Sequence, residues 1–271
     1  MIEIDKLEEK SKQIRLEILE TIVHAGKGHI GGALSSVDIL VSLFYGNILR
    51  FDPKNPDWEK RDRFIFSKGH AAIGFYVVLA DLGYFSKQEL KIFNKGGSFL
   101  AEHPDLRVPG IEVVSGSLGH GLNISSGTAL AAKLNNQDNV SVALLGDGEC
   151  YEGTVWEGAM FASHHCLNNL IVIVDRNQLA VLDKTENITR LEPFADKWVS
   201  FGWDLTEIDG HNIKSILKAF DRFRQRNSKK PLLILANTIK GKGISFMENQ
   251  VNWHHGVPNL EHLELARKEL E

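Results

Sequence analysis

The sequence has little cysteine and no long apolar run. Only Cys150 and Cys166 occur among its 271 residues, too few to build a disulfide framework or a zinc site by themselves. The longest uninterrupted apolar stretches, such as residues 75–80, have about six residues, whereas a membrane-spanning helix needs about 20. The opening residues MIEIDKLEEK are acidic and contain no apolar core, so we expect no signal peptide. These absences predict a cytoplasmic protein with no membrane segment.

The chain also has no large excess of charge of one sign. It carries 31 Lys and Arg against 35 Asp and Glu, and the formal net charge of −4 argues against a nucleic-acid binder that relies on bulk positive charge. Apolar residues make up 43 % and charged residues 24 %, which is the composition of an ordinary folded protein. A chain of this length can bury an ample core.

Apolar strands alternate with helices along much of the chain. Strands are predicted at residues 63–67, 140–146, 170–175, 203–209 and 231–237. Helices are predicted at residues 2–24, from about 35 onward, from about 70 to 83, at 154–166 and at 213–224, with a glycine-rich break at 26–32. Nearly continuous apolar strands between helices are typical of a parallel sheet covered on both faces. The sequence predicts a doubly wound α/β fold, with residues 1–271 as a single domain that has a helical N-terminal section.

Oxygen-bearing side chains follow two consecutive predicted strands. Asp147 lies in the segment Gly146-Asp147-Gly148 at the end of one strand, and Asn177 follows the next strand thirty positions later. One strand–helix–strand unit has about that length and brings both strand ends to one edge of the sheet. Carboxylate and amide oxygens suit Mg²⁺ or Ca²⁺ shared with a phosphate ligand, and glycines let the backbone approach phosphates closely.

Other phosphate-binding motifs match less well. The dinucleotide fingerprint G-x-G-x-x-G fails because four residues separate Gly148 from Gly153, and the Gly-Lys-Ser/Thr of a P-loop is absent from the sequence. A tight turn with a solvated Asp147 is an alternative for Gly-Asp-Gly alone. Asn177 at the matching position of the next strand favours the metal site.

Gly146-Asp147-Gly148 followed by Asn177 resembles the motif of thiamine-diphosphate enzymes. The resemblance implies thiamine diphosphate and Mg²⁺ or Ca²⁺ as cofactors. It also implies that Asp147, Asn177 and the backbone carbonyl of Leu179 hold the metal that bridges the diphosphate, with Gly148 beside the cofactor. The implied architecture is the thiamine-diphosphate-binding fold.

Further segments narrow the resemblance to transketolases. They follow the family's order and span nearly the whole chain: Gly28-His29, Ser67-Lys68-Gly69-His70, His103-Pro104, Gly116-Ser117-Leu118-Gly119, Glu152-Gly153 and His255-Gly256. The glycine-rich segment 26–32 is similar to that of the N-terminal subunit of two-subunit transketolases.

The resemblance implies roles for the histidines. His70 and His255 would contact the diphosphate. His29, His70, His103 and His255 would line the substrate channel and assist proton transfers at the sugar, since imidazoles exchange protons near pH 7. His254 is adjacent to His255 and is an alternative for its role at the diphosphate.

Five other residues are singled out by the same resemblance. Gly116, Ser117 and Leu118 would pass over the cofactor's pyrimidine ring, with a simple helix N-terminus as the alternative. Glu152 would join a glutamate network that links two cofactor sites across a dimer interface, or it is a first-turn carboxylate favoured by the helix dipole. His120 stands where the family usually has Gln, a change that could alter acceptor preference or have no effect.

The resemblance covers only the first of the three transketolase domains. The pyrimidine-binding and C-terminal domains match no segment here and are expected on a partner chain, in a heterotetramer with two copies of each chain. The implied reaction transfers a two-carbon ketol unit from a ketose phosphate to an aldose or its phosphate, with pentose phosphates as default substrates. The chain would be active only with the second subunit.

Three rival functions stay open. An enzyme similar to deoxyxylulose-phosphate synthase, or a 2-oxo acid dehydrogenase component, would also carry the Asp147 and Asn177 motif. The first of these is distinguished by accepting pyruvate as donor. A non-catalytic module would bind the cofactor without turnover, but the intact metal motif and the placed histidines argue against it.

Overall fold

The centre of the molecule is a five-stranded sheet in which every neighbouring pair of strands is parallel. The computed structural model describes residues 3–270. The strands are β1 (Arg63–Phe66), β2 (Ser141–Gly146), β3 (Leu170–Arg176), β4 (Asp204–Asp209) and β5 (Leu232–Asn237). Their order in the sheet is β1-β2-β3-β5-β4. The predicted doubly wound α/β fold is confirmed, and each predicted strand is present.

Ten helices surround the sheet within the described part of the chain. They are α1 (Ile4–Ala25), α2 (Ile30–Ser35), α3 (Val37–Tyr45), α4 (Ala72–Asp81), α5 (Gly121–Leu134), α6 (Gly153–His164), α7 (Thr185–Ile188), α8 (Phe194–Ser200), α9 (Ile213–Gln225) and α10 (Leu260–Leu270). None of these helices combines the length and the hydropathy that crossing a bilayer requires. The first predicted helix begins at Ile4, and its predicted start at residue 2 lies outside the described residues.

The glycine-rich segment is partly helical, where a break was predicted. Helix α2 contains Gly31 and Gly32. A Cβ atom on Gly31 would lie 2.7 Å from the Trp253 carbonyl oxygen, and one on Gly32 would lie 3.2 Å from His70 Nε2. Close packing against these neighbours therefore requires glycine here, and tertiary contacts outweigh the low helix propensity of glycine.

Alternate residues of each central strand enter different cores. In β2, Val142 and Leu144 pack into a large core with helices α1 to α4 and α9. Ala143 and Leu145 point the other way, into a second core with helices α5, α6 and α8. This two-residue alternation between two apolar faces explains why the strands read as continuous apolar runs.

The carboxyl ends of β1, β2 and β3 lie next to one another at the same edge of the sheet. Lys68 lies two residues after β1, Asp147 directly after β2, and Asn177 directly after β3. The register pairs Gly146 with Asp175, so the chain segments that follow β2 and β3 leave the sheet side by side. A ligand site at this edge is the expected arrangement for an open parallel sheet.

Candidate active site

A cavity of about 420 Å³ opens at this edge of the sheet. Seven residues predicted from the sequence line it: His29, His70, Leu118, Asp147, Gly148, Asn177 and Leu179. Five other predicted residues lie outside the lining: His103, Gly116, Ser117, Glu152 and His255. These five are all exposed to solvent. The structure therefore brings together the predicted metal ligands and two of the predicted histidines.

Asp147 is buried and held by three donors. Its Oδ1 accepts a hydrogen bond from the Gly148 amide at 2.7 Å. Its Oδ2 accepts from the Gln178 amide at 2.6 Å and from Arg176 Nη1 at 3.1 Å. Burial raises the pKa of Asp147, and the nearby Asp175 carboxylate adds to the increase. A positive charge beside Asp147 would therefore stabilise its ionised form.

Asn177 and Leu179 place two further oxygen atoms in the cavity wall. Asn177 Nδ2 donates to Asp175 Oδ1 at 3.2 Å, and Asn177 Oδ1 accepts from the Leu179 amide at 3.1 Å. The turn between them requires Gln178 to adopt a left-handed conformation, with φ of 61°. The Leu179 carbonyl oxygen accepts a hydrogen bond from Lys240 Nζ at 3.1 Å. A carboxylate, an amide oxygen and a carbonyl form the hard donor set that suits Mg²⁺ or Ca²⁺.

The glycines beside Asp147 leave open space in the cavity. A Cβ atom on Gly148 would meet Ala180 Cβ at 3.7 Å, and one on Gly146 would meet Lys68 Cβ at 3.8 Å. Both are ordinary contacts, so packing within the chain does not require glycine at either position. The space that a side chain at Gly148 would fill is therefore available to an anionic group close to the backbone. The open space at Gly148 and the oxygen atoms of Asp147, Asn177 and Leu179 fit a metal-bound diphosphate.

Two buried lysines bring positive charge to the cavity. Lys68 Nζ donates to the Gly32 carbonyl oxygen and to Ser36 Oγ, both at 2.9 Å, and it pairs with Asp175. Lys240 Nζ contacts the carbonyl oxygens of Leu179 and Ala180. Burial lowers the pKa of Lys240 to about 8, with Lys68 adding to the decrease.

Neither lysine was predicted as a site residue. Lys68 lies in the segment Ser67-Lys68-Gly69-His70, and Lys240 begins the segment Lys240-Gly241-Lys242-Gly243, in which lysine and glycine alternate. That second segment is the signal that could have identified Lys240.

Five histidine rings cluster around His29, and three of them, His29, His70 and His254, line the cavity. The ring centroid of His29 lies 5.5 Å from that of His70, 6.4 Å from His103, 5.3 Å from His254 and 4.7 Å from His255. Burial lowers the pKa of both His29 and His70, and the Lys68 charge lowers that of His70 further. These two imidazoles are therefore uncharged at neutral pH and can both donate and accept hydrogen bonds.

His254, rather than His255, lies in the wall beside the predicted metal ligands. Its ring stacks on His70 with centroids 5.2 Å apart, and its Nδ1 is 2.8 Å from Lys240 Nζ. Burial and the Lys240 charge lower the pKa of His254 to about 3. His255 is exposed and faces Glu102, with its Nε2 3.4 Å from Glu102 Oε1.

A buried glutamate near the site, Glu149, was also missed by the sequence analysis. Its carboxylate accepts hydrogen bonds from Ser67 Oγ, from the Gly119 amide at 2.9 Å and from the Gly146 amide at 3.1 Å. Burial raises the pKa of Glu149. Its position directly after Gly146-Asp147-Gly148 could have indicated this role, whereas Glu152 is exposed at the start of α6.

Sequence comparisons identify relatives that match nearly the whole chain. Residues 7–270 match the family described as "Transketolase, thiamine diphosphate binding domain". The chain is 41 % identical, over 99 % of its length, to one subunit of the apulose-4-phosphate transketolase of Phocaeicola vulgatus, and it covers 95 % of that protein. It is also 41 % identical, over 98 % of its length, to the 6-deoxy-6-sulfo-D-fructose transketolase subunit SqwG of a Clostridium species, of which it covers 96 %.

Longer transketolases share the same architecture. The crystal structure of the Campylobacter jejuni enzyme superposes with a TM-score of 0.93 and 30 % identity, over 99 % of this chain and 43 % of that one. Human transketolase is 34 % identical over 93 % of this chain and 40 % of its own length. The chain thus spans less than half of these two proteins. It belongs to the transketolase family, and it matches the thiamine-diphosphate-binding domain of that family.

Proposed function

We propose that this chain is the N-terminal subunit of a two-subunit transketolase that transfers a two-carbon ketol unit from a ketose phosphate to an aldose or its phosphate. The observation that carries the proposal is the convergence of Asp147, Asn177 and the Leu179 carbonyl in one cavity wall. Family membership supports it, as do two relatives at 41 % identity that are named transketolase subunits.

Asp147, Asn177 and Leu179 would hold Mg²⁺ or Ca²⁺ through their oxygen atoms. The open backbone at Gly148 and the Lys240 ammonium would receive the diphosphate. Thiamine diphosphate, when bound, supplies the nucleophilic carbon needed to break a carbon–carbon bond next to a ketose carbonyl. The uncharged imidazoles of His29 and His70 would bind sugar hydroxyls and take or return a proton at a hydroxyl oxygen.

The other predicted residues keep their predicted roles within this proposal. His103 and His255 lie next to His29, where they would contact an entering sugar. Gly116, Ser117 and Leu118 would lie along the pyrimidine ring. Glu152 is exposed, as a residue that meets another chain must be.

A partner chain would supply the pyrimidine-binding and C-terminal domains. The Phocaeicola vulgatus relative is named as one subunit of its transketolase, and this chain covers 95 % of that protein, which supports a second subunit here. The chain covers only 43 % of the Campylobacter jejuni transketolase, which leaves room there for further domains. We propose an assembly with two copies of each chain, inactive when either chain is missing.

The donor would be a phosphorylated ketose. Relatives at similar identity are named for apulose 4-phosphate and for 6-deoxy-6-sulfo-D-fructose, so the family accepts more than one ketose. Pentose phosphates are the first substrates to test. A sulfonated ketose is a second choice, because it also carries an anionic group at the end remote from the carbonyl.

The test is ketol transfer from xylulose 5-phosphate to ribose 5-phosphate in the presence of thiamine diphosphate and Mg²⁺. The chain is assayed alone and with its pyrimidine-domain partner, and the two named ketoses of the relatives serve as further donors. Activity only in the mixture is the expected result. Turnover of pyruvate in place of every ketose would contradict the proposal and indicate an enzyme of the deoxyxylulose-phosphate synthase type. Cofactor binding without turnover of any donor would indicate a non-catalytic module.

A further inference from the structure

We propose that His29, Glu102 and His255 form a binding site for Zn²⁺ at the rim of the cavity. One ligand atom from each residue lies within 4.8 Å of the others. His29 Nδ1 is 2.9 Å, and His255 Nε2 is 3.4 Å, from Glu102 Oε1. Zinc bonds to nitrogen and oxygen of about 2.0–2.2 Å place the ligands of a tetrahedral centre about 3.3–3.6 Å apart. The three side chains need only small adjustments to reach that geometry.

Two atoms of this group are buried without a suitable partner. Within residues 3–270, neither His29 Nδ1 nor Glu102 Oε1 has a partner with hydrogen-bond geometry, although the two atoms lie 2.9 Å apart. Buried polar atoms ordinarily make hydrogen bonds, so a nitrogen and a carboxylate oxygen that face each other without one are an exception that needs an explanation. A cation between them satisfies both atoms.

The backbone holds the three residues in place from separate segments. His29 directly precedes α2, Glu102 lies in the loop before α5, and His255 follows the 3₁₀ turn Val251–Trp253. The Gly256 amide donates to the Gly28 carbonyl oxygen at 3.2 Å, which fixes the segments of the two histidines against each other. A site assembled in this way is largely formed before the ion arrives.

The donor set separates this site from the oxygen site at Asp147. Two imidazole nitrogens and one carboxylate oxygen suit Zn²⁺, which binds such sets with a fourth position left open, whereas Mg²⁺ prefers oxygen ligands and retains water. Excess Mg²⁺ therefore saturates the oxygen site without competing at the rim. An ion held by His29 lies next to the cavity, because His29 lines it.

The experiment measures Zn²⁺ binding to the purified full chain by calorimetry, in excess Mg²⁺ and without substrate or thiamine diphosphate. We expect one site, whose affinity falls at least about tenfold in Glu102→Gln and in His255→Asn, since even outer-shell partners of a metal have effects of that size. Replacing Zn²⁺ with Co²⁺ should give the visible absorption of a tetrahedral centre, and Glu102→Gln should abolish it.

The matched control is His164→Asn, which changes an exposed histidine on α6. Its Zn²⁺ affinity should equal that of the parent chain. Unchanged affinity in Glu102→Gln, or loss of binding in His164→Asn, would overturn the proposal. Melting temperatures of the metal-free variants show that each is folded. Because no substrate is present, the result does not depend on whether the chain takes part in ketol transfer.

Discussion

Lys68, which lines the cavity, forms an ion pair with Asp175, and the two side chains are 1 % and 0 % exposed. Lys68 follows β1 and Asp175 lies near the end of β3, so the pair spans the end of the intervening strand β2. Burial alone would raise the pKa of Asp175. The Lys68 charge and the hydrogen bonds from Lys68, Ser35 and Thr238 together outweigh that effect and lower the pKa to about 2. The pair therefore links the ends of β1 and β3 across the end of β2.

Replacing Lys68 with methionine should destabilise the protein severely. Lys68→Met leaves the Asp175 carboxylate buried without its cation, and removing one partner of a buried pair costs about 3–5 kcal/mol. Urea denaturation of the variant measures the loss in unfolding free energy. The exposed Lys218 on α9 provides the control, and Lys218→Met should change stability by less than about 0.5 kcal/mol. Equal effects of the two substitutions would contradict this account of the pair.

The same pair predicts a loss of stability in acid. The folded pKa of Asp175, about 2, lies below the ordinary value of about 3.9 expected when unfolded. The unfolded state then takes up the proton first as the pH falls. The stabilisation from this carboxylate is therefore complete above pH ~4 and declines as the pH drops toward 2. Unfolding free energies of the parent and of Asp175→Asn, measured between pH 6 and pH 2, should converge toward the acid end. Parallel curves would show that Asp175 is not responsible.

Asp147→Asn should weaken the binding of thiamine diphosphate with Mg²⁺ while the fold persists. The substitution keeps the size of the side chain but removes the negative charge that the candidate metal site requires, so we expect at least about a tenfold loss of affinity. The rise in melting temperature on adding cofactor and Mg²⁺ reports binding. The exposed Asp196 on α8 gives the matched control, Asp196→Asn, which should bind like the parent. Full affinity in Asp147→Asn would exclude Asp147 as a metal ligand.

Alanine substitutions at two glycines should separate binding from stability. Gly148→Ala meets only an ordinary contact within the chain, so stability should change by less than about 0.5 kcal/mol while cofactor affinity falls. Gly119 has φ of 84°, and a Cβ there would lie 2.6 Å from Glu152 Cβ, so Gly119→Ala should cost more than about 1 kcal/mol. Thermal unfolding with and without cofactor measures both quantities. Normal cofactor affinity in Gly148→Ala would argue against a close approach of the diphosphate at this glycine.

The strands of the sheet could be predicted from the sequence because a short apolar run marks most of them. The runs at β2, β3 and β5 are apolar on both faces, and they contribute to the two cores on either side of the sheet. The order of the strands could not be read from such runs. Helix α2 was missed because its formation depends on packing of Gly31 and Gly32 against residues distant in sequence.

Only those residues of the candidate site that belong to a local sequence motif could be predicted. Asp147, Asn177 and Leu179 follow two strands at a regular spacing, so their convergence could be inferred. The partner of Lys68, by contrast, lies 107 positions away, and Lys240 reaches the Leu179 carbonyl across 61 positions. No local pattern encodes such pairs. The arrangement of His254 and His255 likewise depends on how the turn before them packs.

Glu149 determines how the floor of the cavity can move. Its carboxylate accepts hydrogen bonds from Ser67, Gly119 and Gly146, which belong to three segments far apart in the chain. Freeing any one segment removes a hydrogen bond from a buried carboxylate, so small independent openings of the kind that expose surface loops are penalised here. The floor must fluctuate as one cooperative unit. The conformational entropy of the cavity floor is therefore lost when the protein folds and not when a ligand binds. A ligand then binds a rigid surface.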